Sequence, residues 1–155
     1  MYQKIMVPLD GSELAECVLP HVETFIKAYK IKNVVFIRVV EPFHDHYIPT
    51  VGMHDIEVFQ KVESERRVDA EDYLNQIVNK LKHEEANLQT KVLAGSVSDC
   101  LCDYAESNDI DLTLIATHGR SGVSRWVRGS VADKVLRSSN APVLMVRAPD
   151  SKGGI

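Results

Sequence analysis

The chain has 155 residues and balances 18 Lys+Arg against 22 Asp+Glu, a net charge of −4. That is one domain's length, enough to bury roughly 70% of the unfolded surface. The balance argues against general affinity for nucleic acid or an anionic membrane, and no apolar run approaches the ~18–20 residues that span a bilayer.

The opening "MYQKIMVPLDGS" lacks the apolar core and cleavage site of a signal peptide. Three cysteines, Cys17, Cys100 and Cys102, are too few and too scattered for a disulfide framework, which points to a reducing cytoplasm. Cys100 and Cys102 stand two apart on a predicted helix, so they face different ways and read as small semi-buried side chains rather than a metal or redox pair.

Five β-prone runs alternate with helical patterns: 4–9, 33–40, 89–94, 111–117 and 142–147. Most are nearly continuous apolar stretches, as parallel strands covered on both faces should be. The first helix is expected from about Ser12 to Tyr29, on the spacing of Leu14, Val18, Val22, Phe25 and Ile26, with a kink where Pro20 removes the bond to the Glu16 carbonyl. The second is clearest from Ala70 through Tyr73, Leu74, Ile77 and Val78 to Leu81, and "EVFQKVESERRVD" extends it backwards as a solvated face. Two more cover about 97–108 and 130–139, the last closed by Asn140 before Ala141-Pro142. Repeated strand–helix–strand units imply right-handed crossovers. The expected fold is a single doubly wound, open five-stranded parallel sheet with helices on both faces, flavodoxin- or Rossmann-like. It covers 1–148 and leaves 149–155 as a loose tail.

In such a sheet ligands bind beyond the carboxyl ends of the strands, where strand order reverses. Two loops qualify: "PLDGSE" after the first strand and "THGRSGVSRWVRGS" after the fourth. The second is long for a βα connection. Gly119, Gly122 and Gly129 let backbone amides approach an anion, Arg120, Arg125 and Arg128 add charge, and Gly129-Ser130 opens a helix whose free N–H groups favour phosphate. Ser130 with Asp133 also reads as a capping pair that needs no ligand. Neither a Walker lysine nor a Gly-x-Gly-x-x-Gly fingerprint is present.

Over nearly its whole length the chain resembles the universal stress proteins, through "KIMVPLDGSE" at the start and "THGRSGVSRWVRGSVADKVLRSSNAPVLMV" at the end. Their ATP-binding members carry Gly-x2-Gly-x9-Gly-Ser/Thr. That register falls on Ala116, Gly119 and Gly129-Ser130, with alanine in place of the first glycine. The resemblance implies that Asp10 and the backbone of Pro8 and Val39 meet adenine and ribose. It assigns the phosphate part to Gly119, Arg120, Gly129, Ser130 and Val131, with Ser130 near a bound Mg2+, and counts Ala116, Thr117 and His118 among the nucleotide-binding positions. Two alternatives stay open. Asp10 is equally readable as a cap of the first helix, and the Ala116 methyl costs little at ordinary β angles but weakens binding if the backbone needs positive φ.

The expected function is a cytoplasmic stress-response regulator or sensor that binds ATP or AMP. It would act as a homodimer through the final strand, Val143–Arg147, an apolar edge that invites pairing. The alternative is a dimeric interaction module of the same fold that binds no nucleotide. At most slow ATP hydrolysis is expected, since no residue stands out as a base to position water. His44, His46 and His54 read as a solvent-facing loop rather than a metal site. His118 with Ser121 lacks the Gly-x-Ser-x-Gly elbow of a hydrolase.

Overall fold

The computed structural model describes residues 2–42, 53–81, 84–117 and 130–148. Five parallel strands, β1 (Lys4–Pro8), β2 (Asn33–Val40), β3 (Asn87–Ala94), β4 (Leu112–Thr117) and β5 (Val143–Arg147), form one sheet in the order β3-β2-β1-β4-β5. Order reverses between β1 and β4, so the carboxyl ends of these two strands lie side by side. The helices are α1 (Leu19–Tyr29), α2 (Met53–Leu81), α3 (Val97–Ser107) and α4 (Ser130–Ser138).

Alternation along the strands sorts the apolar residues into two cores. Ile5, Val7, Val34, Phe36 and Leu114 pack with Val22 and Ile26 of α1 and Leu74 and Ile77 of α2. Met6, Val35 and Ile37 pack on the other face with Leu101 and Ala105 of α3 and Val135 of α4. This is the two-sided burial that the uninterrupted apolar runs imply. The edge strand β3 is the exception: its side chains are mostly exposed, and it begins at Asn87, two residues earlier than expected, where Asn87 and Leu88 pair with Asn33 and Val34.

The start of the first helix also differs from expectation. Residues 12–18 make a turn and then a 3-10 segment, Ala15–Val18, and the α-helix begins at Leu19. Pro20 therefore occupies the second position of α1 and makes no interior kink. Its missing N–H falls in the first turn, where no intrahelical partner exists. At the other end Lys30 closes α1 in the left-handed region (φ 57°).

Candidate functional site

The carboxyl end of β1 is shaped by one proline. β1 and β4 pair only at Ile5↔Leu112 and Met6↔Thr113, whereas β1 follows β2 as far as Pro8↔Ile37 and β4 follows β5 as far as Thr117↔Arg147. In a parallel ladder, alternate residues bond to opposite neighbours. The even-numbered residues of β1 face β4, so the next bond in that ladder needs an N–H at position 8. Pro8 has none, and the pairing stops where a crevice between β1 and β4 would begin.

On the other side, the Leu9 N–H donates to the Ile37 carbonyl at 2.8 Å, and after it the chain leaves the sheet. The odd-numbered residues of β2 face β1, so the N–H and C=O of Val39 point past the end of β1. The even-numbered Val40 faces the other way, and its carbonyl accepts from the Gly95 N–H at 3.1 Å. A donor and an acceptor on one residue, side by side past the end of β1, suit the edge of a planar heterocycle.

The chain leaves β1 through Asp10-Gly11-Ser12. Asp10 Oδ1 accepts from the Ser12 N–H at 2.8 Å and from the Ser12 hydroxyl at 2.6 Å. The Ser12 oxygen in turn accepts from the Ala15 N–H at 3.2 Å and caps the 3-10 segment. The cap is thus Ser12. Asp10 sets the turn that delivers it, and among the described residues its Oδ2 has no partner. Gly11 sits at φ +89°, a conformation that side chains rarely adopt.

Around this turn lies a polar group on the α1/α2 face. The Arg38 guanidinium carbon stands 5.3 Å from the centre of the Tyr73 ring. The Tyr73 hydroxyl donates to Glu16 Oε1 at 3.2 Å, and Lys80 Nζ lies 3.8 Å from Glu16 Oε2. Partial burial, then the negative charge of Glu16 and its hydrogen bond, hold the Tyr73 phenol well above its ordinary range; Asp10 adds to the rise and Arg38 opposes it.

Ala116 answers the question raised by its place in the motif. Its φ is not positive, it pairs with Val146, and its methyl packs against the core under α1 and α2. Pro8, Val39 and Thr117 share the alternation of the opposite face, where Val39 and Val131 pack against the second core. The Thr117 carbonyl accepts from the Ala148 N–H at 2.9 Å. Ser130 is exposed in the first turn of α4. The capping pair expected with Asp133 is absent: the Asp133 carboxylate accepts instead from Arg137 Nε at 2.9 Å, one helical turn on.

His118, Gly119, Arg120, Ser121, Gly122, Arg125, Arg128 and Gly129, with His44, His46 and the 149–155 tail, lie outside the described residues. His54 falls in the first turn of α2. Sequence reasoning missed Gly11 and Arg38. The positive φ at Gly11 had a signal in Asp-Gly, a common turn dipeptide. Arg38 had a weaker one, as the one charge in an otherwise apolar strand.

Comparison with known proteins agrees with this fold. A family model described as the universal stress protein family matches residues 1–147. Universal stress protein MJ0577 of Methanocaldococcus jannaschii is 26% identical over 160 aligned positions, covering 97% of this chain and 98% of that protein. A solved structure of MJ0577 superposes with a TM-score of 0.80 over 97% of this chain and 99% of its own. At lower identity the likeness is one of fold. A universal stress protein family protein from Arabidopsis thaliana with AMP bound is 13% identical, with a TM-score of 0.64 over 98% of this chain and 95% of its own. A universal stress protein in complex with cAMP is 19% identical, with a TM-score of 0.61 over 96% of this chain and 98% of its own.

Proposed function

Because the chain belongs to the universal stress protein family, we propose that it binds an adenine nucleotide, ATP or AMP, at the β1/β4 switch point and acts as a stress-response regulator in the cytoplasm. The observation that carries this reading is the pair of backbone groups at Val39, left beyond the last β1–β2 bond from Leu9 to Ile37. In this reading they meet the adenine edge, and Pro8 keeps the β1/β4 side open. Asp10 turns its second carboxylate oxygen, Oδ2, to the ribose. Two family structures, one with AMP and one with cAMP, lend the ligand class.

The phosphates would run toward the amino end of α4. Free N–H groups and the helix dipole favour anions there, and Ser130 and Val131 stand in the first turn. The Ala116 and Thr117 end of β4 leads into the segment that carries His118, Gly119, Arg120 and Gly129; the family resemblance assigns Gly119, Arg120 and Gly129 to the same phosphates and counts His118 among the nucleotide-binding positions. A bound Mg2+ would neutralise phosphate charge, with the exposed Ser130 hydroxyl as one oxygen ligand. The second member of the assembly is another copy of this chain, paired along Val143–Arg147. This strand is an edge of the sheet, and its Val143, Leu144 and Met145 are half-buried. No helix among the described residues is long and apolar enough to cross a membrane.

The test is thermal unfolding of nucleotide-stripped protein with MgATP or MgAMP at ~100 times the dissociation constant. The midpoint should rise by about 5–10 °C, and less for Ser130→Ala at the same nucleotide concentration. No rise at millimolar nucleotide would leave the dimeric interaction module as the better account.

Ala116→Gly supplies an independent check. Since the methyl packs into the core under α1 and α2, the variant should lose about 0.5–1 kcal/mol of stability. Calorimetry should find its nucleotide affinity within about threefold of the parent, under 1 kcal/mol. A large gain in affinity would mean that the methyl obstructs the ligand after all.

A further inference from the structure

We propose that Arg38 is the positioning residue of the Asp10 turn: its guanidinium, set against Gly11 and over the Tyr73 ring, holds Asp10 at the angle a ribose hydroxyl requires, without touching the nucleotide. This rests on the nucleotide reading above.

Three observations converge. A Cβ built on Gly11 would lie 3.0 Å from Arg38 Cζ, 3.0 Å from Nη2 and 3.1 Å from Nη1. Near-equal distances to all three atoms mean that Gly11 faces the flat of the guanidinium rather than its edge. The same group stands over the Tyr73 ring at 5.3 Å, within the range of a cation–π contact. Gly11 and the Tyr73 ring thus both lie against the one guanidinium. Finally, the Tyr73 hydroxyl donates to Glu16 at 3.2 Å, just beyond the same turn. The β1–α1 connection is thus tied to α2 at two points, Gly11 and Glu16.

The geometry explains why these residue types stand together. A planar cation can lie flat against the Gly11 backbone and still meet an aromatic ring; an ammonium group has no plane to stack. Only glycine gives the backbone this approach, in addition to the positive φ that it adopts. Arg38 also immediately precedes Val39 on β2. One side chain then fixes the ribose end of the site relative to the backbone groups proposed for adenine.

The experiment compares the full chain with Arg38→Lys and Arg38→Met, with Asp10→Ala and with the Arg38→Lys/Asp10→Ala double variant. The first readout needs no nucleotide. It is the amide proton shift of Ser12, held downfield by the bond to Asp10 Oδ1. In both Arg38 variants it should move toward the random-coil position. The second is the dissociation constant for AMP by calorimetry. It should rise about tenfold in Arg38→Lys, the value of one hydrogen bond to a charged group, and the double variant should bind no more weakly than Asp10→Ala alone.

A Ser12 shift and an AMP affinity that stay at the parent values would overturn the proposal, even if the variants melt earlier, because that would be packing alone. Equal and additive losses in the double variant would also overturn it. If the parent binds no nucleotide, the functional reading fails by itself. The Ser12 shift still decides whether Arg38 holds the turn.

Discussion

Phe36→Ala is expected to cost about 3–5 kcal/mol and to lower the melting midpoint by roughly 6–20 °C. Phe36 is fully buried and heads the largest side chains of the core. It stands opposite Val7 on β1 and Thr90 on β3, in the cluster that joins Ile5, Val7 and Leu114 to Val22, Ile26, Leu74 and Ile77. Truncation removes the transfer free energy of a ring and leaves a cavity bounded by strands on one side and two helices on the other. Neither layer can close in without breaking the sheet ladder or the packing of its neighbours. Against a total stability of about 5–15 kcal/mol for a domain, this change leaves little margin at physiological temperature. Thermal unfolding followed by far-ultraviolet circular dichroism measures it. A loss below about 1 kcal/mol would mean that the cluster repacks around the hole.

The strands were legible because their chemistry is local. "NVVFIRVV" states by itself that both faces are covered, and β2 spans Asn33–Val40 as read. Helix α2 was equally plain, since Ala70, Leu74 and Ile77 mark one stripe, and all three are buried. What the alternation could not state is strand order. Side chains repeat every second residue whichever neighbour a strand has, so the β1–β4 adjacency emerges only from crossover geometry. The role of Pro8 was hidden for the same reason. A proline in an apolar run reads as a strand end, and its meaning here depends on which neighbour its missing N–H would have met. Pro20 shows the opposite limit. The helical spacing of Leu14 and Val18 persists through a 3-10 segment, because Leu14 and Val18 keep right-handed helical angles. Periodicity alone does not separate the two bond patterns.

Asp10 and Arg38 divide along the same line. The Asx turn at Asp10 is a contact over two residues, and "DGS" announces it. The stack of Arg38 on Gly11 and Tyr73 joins three segments, and nothing local to any one of them requires the other two. A charge within an apolar strand was the available sign. On an interior strand, such a charge must find a partner from a neighbouring layer.

Asp111→Ala should cost about 1.5–3 kcal/mol or roughly 3–12 °C, and it should leave nucleotide affinity unchanged. Asp111 Oδ2 accepts from the backbone N–H groups of both Gln3 and Lys4 at 2.8 Å. The Asp111 N–H donates to the Lys4 carbonyl at 3.0 Å, and Lys4 Nζ donates to the Asn108 carbonyl at 2.8 Å. One carboxylate thereby satisfies two amides at the entry of β1 and aligns that strand with β4 before the ladder begins. Gln3 is exposed, so water recovers part of the loss there; Lys4 is partly buried and recovers less. Asp111→Asn keeps an acceptor oxygen without the charge and should cost about half as much. An asparagine variant as unstable as the alanine one would show that the charge, and not the acceptor, does the holding. All of this happens at the amino ends of β1 and β4, whereas ligands of open α/β sheets bind at the carboxyl ends. β1 is five residues long, so the two ends are about 13–17 Å apart at ~3.3 Å per residue. That is far enough for separate sites to act independently. A variant that melts early yet binds AMP as the parent does would place fold anchorage and ligand recognition at opposite ends of the same two strands. Weakened binding would mean instead that the pairing of β1 with β4 sets the width of the crevice.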